Sequence, residues 1–110
     1  MTLGHKQRRF AKMFAKLILW ANANGYEVAI GEVSRTVEQQ RLYVEQGKSQ
    51  IMASKHVKRL AGDLLLFKDG KYLADTAAYT PLGEFWEGMG GVWGGRWEGF
   101  RDGGHFEYKE

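Results

Sequence analysis

The chain contains no cysteine and a single proline. Without thiols it can form no disulfide framework, no thiolate metal site and no cysteine nucleophile. Long apolar runs are scarce as well. Near the N-terminus the unbroken stretch is only Leu17-Ile18-Leu19-Trp20, far short of the roughly 20 residues that span a bilayer, so no stable membrane insertion is expected. A strong excess of either charge is also missing. The net charge of +3 favours an anionic partner surface without choosing among nucleic acid, membrane and cell wall. With 110 residues, 44% apolar and 26% charged, the composition excludes disorder, collagen and coiled coil. It fits one globular domain, residues 1–110, with a single core and no reason to expect more than a monomer.

Glycine and aromatic residues are abundant instead. There are 15 glycines, and aromatics make up 14% of the chain. They crowd together late, where Gly83, Gly88, Gly90, Gly91, Gly94, Gly95, Gly99, Gly103 and Gly104 alternate with Phe85, Trp86, Trp93, Trp97, Phe100 and Phe106. This mixture predicts tight turns that carry large aromatic anchors, with Trp93 and Trp97 as core or wall residues.

Near the N-terminus, Lys6, Arg8 and Arg9 precede an apolar segment, and Ala21-Asn22-Ala23 imitates a leader cleavage site. Lys12 and Lys16 interrupt that segment, whereas a secretory signal needs an apolar run of roughly 7–15 residues. Phe10, Met13, Phe14, Leu17, Ile18 and Ala21 follow the spacing of one helical face, and Asn24-Gly25 supplies a stop. The segment therefore reads as a core helix rather than a signal peptide. Tyr26–Val33 reads as a strand. Arg35–Gln46 reads as a helix with Thr36 as N-cap and Val37, Leu42 and Val44 available for packing. Leu60–Phe67 is a strand, Lys68-Asp69-Gly70-Lys71 a hairpin turn into Tyr72-Leu73, Pro81–Met89 a short helix, and Gly104–Tyr108 a closing strand. This order predicts an α+β fold with a small antiparallel sheet flanked by helices.

Two segments carry the chemistry: Ser54-Lys55-His56-Val57-Lys58-Arg59-Leu60-Ala61-Gly62-Asp63 and Asp102-Gly103-Gly104-His105-Phe106-Glu107-Tyr108. A catalytic zinc site uses three protein ligands and an open position for water, and His56, Asp63 and His105 are suitable types. Seven residues of extended strand would hold His56 and Asp63 about 23 Å apart, and a continuous helix would keep their backbones about 10 Å apart. Convergence therefore requires a turn between them. Residue types alone leave open a surface histidine and an ordinary turn aspartate. His105 and Glu107, two apart on a strand, face the same side, so Glu107 is placed to hold an imidazole or a substrate amine.

The pattern Ser-x-His-x-x-x-x-Ala-x-Asp followed by Asp-x-x-His-Phe-Glu resembles the zinc peptidases of family M15, the D-alanyl-D-alanine carboxypeptidase family. It is most similar to the phage endolysin branch, the L-alanyl-D-glutamate endopeptidases. The likeness runs from about Val33 to Tyr108 and includes Ser34-Arg35-Thr36, Gln39-Gln40, Leu42-Tyr43, Gly47-Lys48-Ser49, Pro81-Leu82-Gly83 and Trp93-Gly94-Gly95. It implies a Hedgehog/DD-peptidase-like fold and a Zn2+ ion held by His56, Asp63 and His105. Asp102 is implied as general base, Arg35, Gln40 and Ser49 as substrate-binding residues, and Ser54 as a supporting member of the motif. In such a site zinc lowers the pKa of its water to near 7. Asp102, with an ordinary carboxylate pKa near 3.9, would take the proton and return it to the departing amine. The metal, with Arg35 nearby, would stabilise the oxyanion.

The function expected from the resemblance is a peptidoglycan hydrolase that cuts stem peptides, with no role for nucleic acid. Such an enzyme would be made in the host cytoplasm and act on the cell wall or periplasm at lysis. A D-alanyl-D-alanine carboxypeptidase is the alternative within the family. A non-catalytic cell-wall-binding module is the alternative of another class.

Overall fold

A computed structural model describes residues 1–48 and 54–110, so the substrate-binding expectation for Ser49 falls outside the described residues. Helix α1, Leu3–Ala23, begins where the Thr2 side chain accepts a hydrogen bond from the His5 N–H at 3.1 Å. The capping oxygen satisfies one of the otherwise unpaired amides of the first turn. The helix buries Phe10, Phe14, Leu17 and Ala21, the stripe its spacing predicts. No helix among the described residues is long and apolar enough to cross a membrane.

Strand β1, Glu27–Ile30, leads through a loop to helix α2, Val37–Glu45. Thr36 caps α2 by accepting from the Gln39 N–H at 3.0 Å. The packing expected of Val37 and Leu42 is not found: they are 50% and 46% exposed, and Gln40 is the buried residue of this helix. The reason is local, because α2 turns its inner side to a polar network and not to the core. Strand β2, Ala61–Lys68, and β3, Lys71–Leu73, form the expected hairpin. Asp69 and Gly70 both have positive φ, at 53° and 76°, as the favoured two-residue hairpin turn requires.

A 3-10 turn, Thr76–Tyr79, precedes helix α3, Thr80–Gly88, with Pro81 in its first turn. Strand β4, Val92–Trp93, and a 3-10 turn, Gly94–Arg96, follow; like the Thr76–Tyr79 turn, neither is anticipated by the sequence. The last strand, β5, is His105–Glu107.

Strand β2 is the hub of the sheet. On one side β1 pairs with it antiparallel, through Val28↔Leu66 and Ile30↔Leu64. On the other side β3 pairs with one end and β5 with the opposite end, and β4 pairs with β5 in turn. Alternation along β2 decides what faces where. Leu64 and Leu66 enter the core with Phe106 of β5, against α1 and Trp86 of α3. Phe10, Phe14 and Phe106 meet the Trp86 ring edge-on, at centroid distances of 5.8, 6.4 and 5.9 Å. The indole N–H of Trp86 donates to the Glu107 carbonyl at 2.9 Å, so this large side chain is buried without an orphaned donor. Gly62 admits the α1 helix: a Cβ there would lie 2.6 Å from the Phe14 ring. The opposite face of β2 carries Asp63 and Leu65, and the register sets Asp63 beside His105.

Candidate metal centre

His56 reaches the site from a turn, not from a strand. The Leu60 N–H bonds the Lys55 carbonyl at 2.9 Å, and the Arg59 N–H bonds the His56 carbonyl at 3.1 Å. This closes the chain on itself before β2 begins. Arg59 takes φ 58° to do so, in the left-handed region that non-glycine residues seldom occupy. The turn brings His56 Nε2 to 3.1 Å from Asp63 Oδ1. Across the β2–β5 pair, His105 Nδ1 approaches the same oxygen at 3.3 Å. Each of the three residues offers a ligand atom, and these atoms lie within 4.8 Å of one another.

The fit to a divalent cation can be tested on the donor set. Two donors about 2.1 Å from a tetrahedral ion stand about 3.4 Å apart, close to the two nitrogen–oxygen separations seen here. The remaining ring nitrogens also have acceptors. His56 Nδ1 lies 3.4 Å from the Val33 carbonyl, and His105 Nε2 lies 2.7 Å from Glu107 Oε1. Such outer partners fix the tautomer and aim the inner nitrogen at a metal. Both histidines are buried. Trp97 walls the site, with its ring 4.8 Å from that of His105.

The charge state of the metal-free cluster follows from its contacts. Burial works to raise the Asp63 carboxyl, but hydrogen bonds from His105 and His56 outweigh it and hold the group at about 2. Burial works to lower His105, but its bonds to Asp63 and Glu107 outweigh that and carry it to about 9. Asp102 departs from the ordinary value expected from sequence. Burial, and then the nearby Asp63 charge, push its carboxyl upward. Its backbone is anchored, because the Asp102 N–H donates to the Gly94 carbonyl at 3.0 Å and the Asp102 carbonyl accepts from the His105 N–H at 3.2 Å.

Next to the metal cluster lies a polar network centred on Arg35. The guanidinium donates to Gln40 Oε1 at 2.5 Å and to Ser54 Oγ at 3.3 Å, and its Nε bonds Glu32 Oε1. The Tyr43 hydroxyl donates to Glu32 Oε2 at 3.0 Å, and the Tyr43 ring lies 4.7 Å from the guanidinium carbon. Ser54 Oγ also accepts from the His56 N–H at 3.2 Å, and the Arg35 N–H donates to the His56 carbonyl at 3.2 Å. Arg35, Gln40 and Ser54 thus form one group, tied to His56 through the backbone.

Glu32 is the residue that sequence reasoning did not single out, and its partner Tyr43 entered there only as part of the resemblance, without a role. Glu32 secures Arg35 with its side chain, and its carbonyl accepts the Asp63 N–H at 2.9 Å. The only trace of this in the sequence is the three-residue spacing from Glu32 to Arg35.

Comparison with known proteins agrees with this architecture. Residues 47–108 match the family described as D-alanyl-D-alanine carboxypeptidase. An L-alanyl-D-glutamate peptidase of Listeria phage A118 is 38% identical over 97 residues, covering 84% of this chain and 34% of that protein. The chain therefore spans about a third of the length of the curated relative it matches. Among solved structures, the Serratia marcescens L-Ala D-Glu endopeptidase ChiX superposes with a TM-score of 0.76 at 21% identity, covering 93% of this chain and 79% of that one. The vancomycin-resistance D,D-pentapeptidase VanY, crystallised with Zn(II), superposes with a TM-score of 0.62 at 20% identity, covering 91% and 70%. The chain belongs to the D-alanyl-D-alanine carboxypeptidase family of peptidases, M15. Its α+β fold, with a small antiparallel sheet flanked by helices, is the one these structures share.

Proposed function

We propose that residues 1–110 form a zinc-dependent peptidoglycan hydrolase domain that cuts the L-alanyl-D-glutamate bond of stem peptides at the bacterial cell wall. The observation that carries this reading is the convergence of His56 Nε2 and His105 Nδ1 on one oxygen of Asp63. His56, Asp63 and His105 would hold the ion. When bound, zinc polarises a carbonyl oxygen and makes water a nucleophile at neutral pH.

The remaining work falls to the protein's own groups. Asp102 takes the proton of the attacking water and delivers it to the amine that leaves. Its upward-shifted carboxyl suits the first task better than an ordinary aspartate would, since a raised pKa makes the carboxylate a stronger base toward the water's proton. Arg35, held by Glu32, Gln40 and Ser54, offers its positive charge to the scissile carbonyl oxygen as negative charge builds there. Being fixed in advance, it needs no reorganisation at the moment of reaction. Glu107 keeps the His105 imidazole in one orientation.

Mass analysis of fragments released from purified peptidoglycan tests the reading. New L-alanine and D-glutamate ends support it. Free D-alanine would select the carboxypeptidase activity that gives the family its description. Asp102→Asn should keep its metal and lose about 100-fold or more in turnover. Normal cleavage by that variant would remove Asp102 from its role.

A further inference from the structure

A cleft of about 290 Å³ opens beside the metal cluster and is lined in part by Asp63, Leu65, Tyr72, Thr76, Arg101 and Asp102. Pockets for drug-sized ligands start at roughly 300 Å³, so this space suits one or two residues of a peptide rather than a glycan chain. None of Arg35, Gln40, Ser54 and His56 lines it. Whatever part of a substrate enters it therefore lies away from the Arg35 network.

Three features define what the cleft accepts. Its floor continues the face of β2 that carries Asp63, where Leu65 is 41% exposed and Tyr72 of β3 is 53% exposed. These side chains offer apolar surface to methylene groups. Its acidic groups are Asp63, whose charge the ion it holds would offset, and Asp102, which would repel an anionic ligand. Arg101 is the opposing charge. Arg35 and Arg96 are paired with Glu32 and Glu87, whereas Arg101 has no carboxylate partner among the described residues.

We infer that this cleft receives the glutamyl residue on the amine side of the scissile bond, and that Arg101 selects it by pairing with its free carboxylate. The inference rests on the peptidase reading and extends it to substrate selection. The proton that Asp102 returns goes to the leaving nitrogen, which belongs to the glutamyl residue. That residue must therefore sit beside Asp102, which is on the wall of this cleft. A glutamyl unit has two carboxyl groups and commits one to the peptide chain. The other would lie unpaired near Asp102 unless a cation met it, and Arg101, which also lines the cleft, is the residue before Asp102 in the chain. A guanidinium matches a carboxylate with two parallel N–H donors.

The test compares the zinc-loaded wild-type protein with Arg101→Gln and Arg101→Lys. The substrates are two synthetic peptides containing the L-alanyl-D-glutamyl bond, one with the glutamyl carboxylate free and one with it amidated. Wild type should favour the free acid. Arg101→Gln should raise KM for the acid roughly tenfold, as loss of a partly solvated charge-assisted pair does, with kcat within about twofold. It should leave the amide unaffected, and Arg101→Lys should recover part of the loss. Wild-type KM for the acid in Arg101→Gln, or an equal loss on both peptides, overturns the assignment of Arg101 while the peptidase reading stands. If the zinc-loaded wild type cleaves neither peptide, both readings fall.

Discussion

Replacing Gly94 by alanine probes how the proposed base, Asp102, and a proposed ligand, His105, are held at one point. A Cβ at Gly94 would lie 2.9 Å from His105 Cβ, 3.3 Å from Asp102 Cβ, and nearer still to the Asp102 carbonyl oxygen. Carbon atoms pack at about 3.5–4.0 Å, so the His105 side must retreat by roughly 0.6 Å or more. Neither contact is the end of a flexible side chain, and the segment that must move carries Asp102 and His105 together. Overpacking of this kind costs about 1–3 kcal/mol. For a domain near this size, 1 kcal/mol is about 4–8 °C in Tm, so a fall of about 10 °C is expected.

The functional effect should be larger, because misplacing a reacting group by about 1 Å can cost about 100-fold in rate. Turnover of the peptide, zinc affinity by competition with a chromophoric chelator, and thermal melting report on the three parts separately. Gly88→Ala is the matched control: nothing lies within 4 Å of a Cβ there, and helix propensity favours alanine by up to about 1 kcal/mol. If Gly94→Ala turned over peptide and bound zinc like the parent, the idea that this close approach sets the site would be wrong.

Two other outcomes follow from the same geometry. In the metal-free protein His105 titrates near 9, so zinc binding at neutral pH must displace its proton. Apparent zinc affinity should rise about tenfold per pH unit up to about pH 9 and level off above it; a flat profile from pH 6 to 8, measured by calorimetry, would contradict this. The same raised pKa makes the His105 contribution to metal-free stability complete below about pH 6.5 and lost as pH rises through about 9, so the metal-free Tm should fall over that window. Glu32→Gln removes the carboxylate that fixes Arg35 but spares the backbone carbonyl that holds Asp63. It should lower kcat about tenfold, as expected for a charge-assisted pair, with zinc affinity nearly unchanged. Loss of zinc in this variant would show that the Glu32 side chain serves the metal cluster instead.

Much of the frame was readable from residue order. The 3.6-residue spacing of Phe10, Phe14, Leu17 and Ala21 marks the buried side of α1, and Asp69-Gly70 marks the hairpin. Both are local signals that the rest of the chain reinforces. β4 was not readable, because two residues among glycines carry no period, and its pairing with β5 is decided by the Trp93 ring seated under Gly83 and Gly95. The exposure of Val37 and Leu42 was missed for the opposite reason. Their apolar character suggested packing, but α2 serves the Arg35 network through Gln40. The convergence of His56 and His105 on Asp63 depends on the turn at Arg59 and on strand register, neither of which spacing can supply. The motif pointed to these residues by resemblance, whereas Glu32, and the part Tyr43 plays beside it, could be found only once the chain was folded. The upward shift at Asp102 likewise comes from burial and from Asp63, which are tertiary properties.

The most direct measurement is anomalous diffraction at the zinc edge from crystals of the zinc-loaded protein. The account predicts one strong peak, about 2 Å from His56 Nε2, His105 Nδ1 and an Asp63 carboxylate oxygen. A peak elsewhere, or none at zinc saturation, would contradict it.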